Sequence, residues 1–258
     1  MSVWVTVPSA RPVAEVAKWA EAWRERGYEI ALWRDDLPET IPARVADWVL
    51  SALEYPGYAR AVNVLVQQIC AEYPGAEWFV AGGDDVFPDP NHTAEEIAAQ
   101  LRAHFAGLAC IQHRSCGCEI CRERTCTFGV MQPTGDRFAG GSIDRICGSP
   151  WMGREFCRRI NQGNGPLWPE YTHMFVDEEI QHVAIKYGVF WQRPDLIHLH
   201  RHFQRASDAL DSPALPVDGV KIKRPHFLEE ANSNAHWTKY KGIFLNRQQR
   251  GFPGSEPL

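Results

Sequence analysis

Within the first hundred residues, short apolar runs alternate with stretches whose apolar positions recur at helical spacing. Val3 to Val7 reads as a buried strand. Val13, Val16, Ala17, Ala20 and Trp23 then follow a 3.6-residue period, and a second strand is predicted from Tyr28 to Trp33. A helix is predicted from Pro42 to Tyr55, with Val45, Trp48, Val49, Ala52 and Leu53 on one face. A further helix is predicted around Val62, Leu65, Val66 and Ile69. Trp78-Phe79-Val80-Ala81 is a strand that ends at Gly82-Gly83-Asp84-Asp85, where Pro88 and Pro90 stop further pairing. Thr93 and Glu96 have capping-box spacing and open a helix toward Phe105, after which Leu108 to Ile111 is again apolar. Farther on, strands are predicted at Phe128 to Met131 and Val189 to Gln192, and helices at Ser149 to Asn161 and Asp177 to Tyr187. Such alternation predicts an α/β fold with a mostly parallel sheet, and sheets of that kind bind ligands beyond the carboxyl ends of their strands.

The chain has 258 residues, enough for one sizeable core, and its 45% hydrophobic and 23% charged content is that of a folded globular protein. The net charge is −5, unevenly placed: residues 1–200 carry −8 and residues 201–258 carry +3. An acidic body argues against an extended nucleic-acid face, while a weakly basic end is compatible with phosphate. No basic-then-apolar leader precedes Val3, so a cytoplasmic protein is expected, and the eight cysteines then read as thiols or metal ligands rather than disulfides. Asp, Ser, Pro and Gly dominate 207–219, which reads as a linker to a terminal segment without a clear period.

Several clusters carry chemistry. Asp84 and Asp85 at a strand's carboxyl end suit a hard divalent cation, although a solvated acidic turn has the same composition. Asp177, Glu178 and Glu179 open a helix, where backbone N–H groups favour negative charge; they serve either as catalytic carboxylates or only as partners of the helix dipole. His198 and His200 lie two apart on an extended segment and so point to one side, with His202 next in the series. Trp151 reads either as a stacking platform or as core. His113, Cys116, Cys118, Cys121 and Cys126 place five potential zinc ligands within 14 residues poor in apolar side chains, against the alternative of free thiols in a surface loop.

Over roughly residues 1–203 this order of elements resembles the GT-A glycosyltransferases, in particular their large inverting family. The resemblance implies a single GT-A (Rossmann-like) domain over 1–205; the Cys-rich zinc insert at 110–127 is not a general feature of that family, and the residues beyond the domain, 206–258, read as a linker with a C-terminal extension. The resemblance also implies a nucleotide loop at Val7-Pro8-Ser9-Ala10-Arg11 and an acidic residue near the base at Asp35 or Asp36. Ala59-Arg60-Ala61-Val62-Asn63 nearly matches a segment common in that family, which assigns Arg60 to the donor. The family's DxD-type motif falls on Gly83-Asp84-Asp85; its usual first acid is a glycine here, so Asp84 is assigned to ribose or metal and Asp85 to metal. Val176-Asp177-Glu178-Glu179-Ile180 resembles the stretch that holds the catalytic carboxylate, which implies Asp177 as base with Glu178 at the substrate. A histidine such as His198 or His200 would complete the metal site, and Trp151 would wall the donor sugar or acceptor.

The function implied is transfer of a sugar from a UDP-sugar, with Mn²⁺ or Mg²⁺, to an acceptor hydroxyl. The compact form and the Cys147 to Trp151 segment point to a hydroxymethylated pyrimidine of phage DNA, such as 5-hydroxymethylcytosine, which would have to be flipped or reached through a groove. Two other readings stay open: a metal-dependent hydrolase, since His-x-His with carboxylates also activates water, and a non-catalytic nucleic-acid-binding protein.

Overall fold

The computed structural model describes residues 1–35, 41–112, 127–136, 148–201 and 233–258, apart from the side chains of 35 and 107–112. The fold is mixed α/β around a seven-stranded, mostly parallel sheet in the order β3-β2-β1-β4-β7-β6-β8. These strands are β1 Ser2–Pro8, β2 Glu29–Asp35, β3 Trp48–Ala52, β4 Ala76–Ala81, β6 Val130–Pro133, β7 Trp151–Gly153 and β8 Phe190–Arg193. β1 pairs in parallel with β2 and β4, β2 with β3, and β6 with β8; β7 is antiparallel to both of its neighbours. A separate two-stranded antiparallel sheet joins β5 Val86–Phe87 to β9 Leu199–His200.

The helices are α1 Val13–Arg24, α2 Tyr58–Glu72, α3 Ala94–Gln112, α4 Arg154–Arg159, α5 Val176–Lys186 and α6 Asn234–Gln249. β1 is buried from Val3 to Val7, as a central parallel strand covered on both faces requires. α1 buries Val16, Trp19, Ala20 and Trp23, and both indole N–H groups donate to the carbonyl of Val86, at 2.8 and 3.1 Å. That satisfies two buried donors and anchors the turn carrying Asp84 and Asp85. The capping box forms as the spacing predicts: the Thr93 N–H donates to Glu96, and the Glu96 N–H donates to Thr93 Oγ1.

Four expectations are corrected. Residues 42–55 do not form a helix; 48–52 are the edge strand β3, with Ala31 opposite Trp48 and Asp35 opposite Ala52. The contiguous Trp48-Val49-Leu50 run favours a strand, and Leu53, expected on a buried face, is 85% exposed. The helix predicted over 149–161 is split, because 151–153 insert as β7 between β4 and β6 and only 154–159 are helical. The helix predicted toward Phe105 runs on through the apolar stretch at 108–111 and ends at Gln112. The terminal segment holds a 16-residue helix, capped by Ser233, whose Oγ accepts from the His236 N–H at 3.3 Å. It buries Tyr240, Phe244 and Arg247 at i, i+4 and i+7, and a charged residue in that stripe hides the apolar period.

Candidate functional site

Strand order reverses between β1 and β4, and in sheets of this kind ligands bind in the crevice beyond the carboxyl ends of the strands at such a point. Pro8 closes β1, opposite Trp33, and the chain then turns through Ser9 and Arg11. Asp84, just past β4, engages that turn with both carboxylate oxygens: Ser9 Oγ donates to Oδ2 at 2.7 Å and Arg11 Nε pairs with Oδ1 at 2.9 Å. Beneath the turn, Arg34 Nη1 donates to the carbonyls of Ser9 (2.9 Å) and Arg11 (2.7 Å). Burial raises the Asp84 carboxyl above its ordinary range, and Arg11 and Ser9 pull against that rise. For Arg11 the balance goes the other way: burial disfavours the cation, yet the Asp84 carboxylate wins and the guanidinium is held more firmly protonated.

Asp85 points elsewhere. The β5–β9 pairing sets Val86 opposite His200, the Arg201 N–H donates to the Asp85 carbonyl at 2.8 Å, and His200 Nε2 lies 3.4 Å from Asp85 Oδ1. The ribbon thus joins two motifs more than a hundred residues apart in sequence. Asp136, buried after β6, accepts from the His200 N–H at 3.2 Å. Asp89, 1% exposed, accepts from the N–H groups of Asn91, His92 and Ile197, tying the turn after β5 to the strand that carries His200.

Asp177 enters from the first turn of α5. Phe175, at the helix N-cap, is left-handed (φ 67°, ψ 0°), a conformation that costs a non-glycine residue about 1–3 kcal/mol. The Glu178 N–H donates to Asp177 Oδ1 at 3.1 Å. Burial nevertheless raises the Asp177 carboxyl, outweighing those backbone donors and the imidazoles of His173 and His200. Helix-end stabilisation of the charge, expected to dominate here, is therefore the smaller effect. His173 is held below the usual imidazole range by burial, against the pull of the Asp177 and Asp85 carboxylates. Asp177 thus feels the imidazoles of His173 and His200, and His173 feels the carboxylates of Asp177 and Asp85.

The remaining predicted residues are placed differently. His198 is 3% exposed: Trp151 Nε1 donates to its Nε2 at 3.3 Å, so its Nδ1–H faces Ser149 Oγ at 3.2 Å, and both nitrogens are engaged within the core. Its pKa is pushed down to about 3 by burial, and it is corrected to a core residue. Trp151 is fully buried and offers no face to a sugar. Arg60 Nε donates to the Pro169 carbonyl at 3.1 Å, so it braces a loop. Asp35 ends β2, while Asp36, His202 and the insert residues His113, Cys116, Cys118, Cys121 and Cys126 lie outside the described residues. Among the described residues, no three His, Cys, Asp or Glu side chains are gathered tightly enough to hold a metal by themselves. Asp85 and His200 offer two donors, which fits a site completed by oxygens of a bound diphosphate.

Sequence reasoning missed His173, Asp136 and Asp89, none of which belongs to a spaced motif. It also missed how the loop before Asp177 is held. Tyr58 N–H donates to the Thr172 carbonyl (2.7 Å), and the Asn63 side chain donates to the Leu167 carbonyl (2.6 Å) and accepts from its N–H (2.9 Å). Gly57 (φ 92°) is required, because a Cβ there would lie 2.9 Å from Thr172 Cα. A cavity of about 450 Å³ lies apart from this crevice, along α6, lined in part by Glu170, Lys239, Asn246 and Arg250.

The sequence matches no protein-family model and no curated protein. Among solved structures, the chain is similar to an Asp-to-Asn mutant of Drosophila β-1,4-galactosyltransferase 7 in complex with manganese, UDP-Gal and xylobiose. That likeness has 10% identity and a TM-score of 0.40, over 88% of this chain and 82% of that one. A glycosyltransferase involved in glycosylating the major capsid of PBCV-1 matches at 12% identity and TM-score 0.32, over 59% of this chain and 60% of that one. A mycobacterial protein matches at 11% identity and TM-score 0.40, over 78% and 68%. Likenesses this remote assign no activity, and the functional argument rests on the crevice itself. Among the described residues, no helix is long and apolar enough to cross a membrane.

Proposed function

We propose that this chain is a metal-dependent glycosyltransferase that moves a sugar from a UDP-sugar to an acceptor hydroxyl. The observation that carries the reading is the β5–β9 ribbon, which sets the His200 imidazole 3.4 Å from the Asp85 carboxylate beside the β1–β4 crevice, within electrostatic reach of Asp177.

In this reading the turn at Ser9 and Arg11 receives the nucleotide, and Asp84 orients that turn rather than binding metal, since both of its oxygens are engaged. Asp85 and His200 would hold Mn²⁺ or Mg²⁺, which when bound neutralises the diphosphate as it departs. Asp177 accepts the proton of the acceptor hydroxyl. A carboxyl lifted by burial is a stronger base than an exposed one, which suits proton removal near neutral pH. Glu178, next in the same turn, would contact the acceptor, and His173, within electrostatic reach of Asp177 and Asp85, would add a polar group beside them.

The test is UDP release with Mn²⁺ and a panel of UDP-sugars, with hydroxymethylcytosine DNA, free saccharides or water as acceptor. Stimulation by the DNA supports a hydroxymethylpyrimidine acceptor, and stimulation by saccharides alone removes it. Asp177→Asn is expected to abolish transfer and keep metal-dependent UDP binding. No release from any donor refutes the transferase.

A further inference from the structure

The segment that carries His173 and Asp177 is gripped from the C-terminal helix at four points. Glu179, 2% exposed and two residues past Asp177, receives Arg247 through Nη2 (2.7 Å to Oε1) and Nε (2.9 Å to Oε2). Tyr171 Oη also donates to Glu179 Oε2 at 2.7 Å. Thr172 Oγ1 donates to Tyr240 Oη at 2.7 Å. The left-handed Phe175 has its ring stacked on Phe244 (5.5 Å between centroids, 25°) and tilted against Trp237 (6.0 Å). Arg247 is itself fixed, its Nη1 donating to the Pro253 carbonyl at 2.9 Å and its guanidinium lying 3.4 Å from the Trp168 ring centroid.

A charge this deeply enclosed is costly to remove from water, and a hydrophobic pair of similar volume stabilises a core at least as well. What an ion pair adds over such a pair is direction: a planar guanidinium fork fixes a carboxylate in orientation as well as in distance. We infer that Arg247 is a positioning residue. Through Glu179, with Phe244 and Trp237 enforcing the strained Phe175 turn, the C-terminal helix sets the direction in which Asp177 leaves the first turn of α5. Arg247 touches none of the residues assigned to the donor. This inference rests on the proposed role of Asp177.

The experiment compares the wild-type chain with Arg247→Met and with the double variant Glu179→Leu/Arg247→Met, which removes both charges and so keeps the fold without an orphaned buried ion. Two readouts are taken on each. Hydrogen exchange of peptides covering 173–178 is expected to accelerate at least tenfold in the double variant, because Leu and Met no longer orient the first turn of α5 and the buried Tyr171 hydroxyl loses its acceptor, with β1 and β4 peptides unchanged. In the transferase assay kcat is expected to fall about 10- to 100-fold, the range set by a displacement near 1 Å, while KM for the UDP-sugar stays within twofold. A folded double variant with wild-type exchange over 173–178 and wild-type kcat overturns the positioning role. An inactive wild-type chain overturns the transferase reading instead, and the exchange result then decides by itself whether the helix holds this segment.

Discussion

Asn63 is the residue at which one substitution most directly loosens the approach to Asp177. Its amide is buried, and it satisfies both backbone groups of Leu167, the C=O at 2.6 Å and the N–H at 2.9 Å, across 104 residues of sequence. Asn63→Ala leaves those two groups without partners in a place water does not reach. At about 1–3 kcal/mol for each orphaned group the loss is about 2–6 kcal/mol. For a chain of this size that corresponds to a fall in Tm of about 4–24 °C. Arg60→Ala is the control, because it removes a single exposed contact with the same loop, to Pro169, and should change stability by no more than about 0.5 kcal/mol. Urea unfolding followed by tryptophan fluorescence gives both values, with an unchanged slope expected for each variant. Should Asn63→Ala cost less than about 1 kcal/mol, the loop is not held through that amide and the account of its anchoring is wrong.

Two further outcomes follow from the same geometry. Because burial raises the Asp177 carboxyl, the proposed base, which must be ionised to act, would lose its function as pH falls through that raised value. The acid limb of the kcat profile should therefore lie above the ordinary aspartate pKa of about 3.9, and a limb at or below that value would contradict the assignment. Gly153 ends β7, where an added Cβ would collide with the carbonyl of Thr127; Gly153→Ala should destabilise by at least about 1–3 kcal/mol in chemical denaturation, and an unaffected midpoint would refute that packing.

The alternation of strands and helices was legible because most of its segments are long or wholly apolar: β1, β4, α1, α2 and α5 all fall where periodicity puts them. It misled where a short run satisfied two periods, as at Trp48 to Ala52, and where an edge strand left Leu53 in solvent. The two ends of the crevice were visible as motifs, Asp84-Asp85 and His198-Leu199-His200. What motifs do not carry is direction. His198 and His200 share a side in an ideal strand, yet only two residues of that segment pair as β9, and His198 turns into the core toward Ser149 and Trp151. The buried Arg247, in the same stripe as Tyr240 and Phe244, gave no periodic signal, because its value lies in a partner 68 residues earlier.

The short ribbon between Val86-Phe87 and Leu199-His200 has a thermodynamic consequence. Loop closure between two remote stretches is an entropic expense met once, when the polypeptide collapses, instead of at each encounter with a small molecule. At the proposed metal site a cation would meet carboxylate and imidazole already abreast, so its affinity should respond to any change that frays this miniature sheet, even one that leaves both side chains intact.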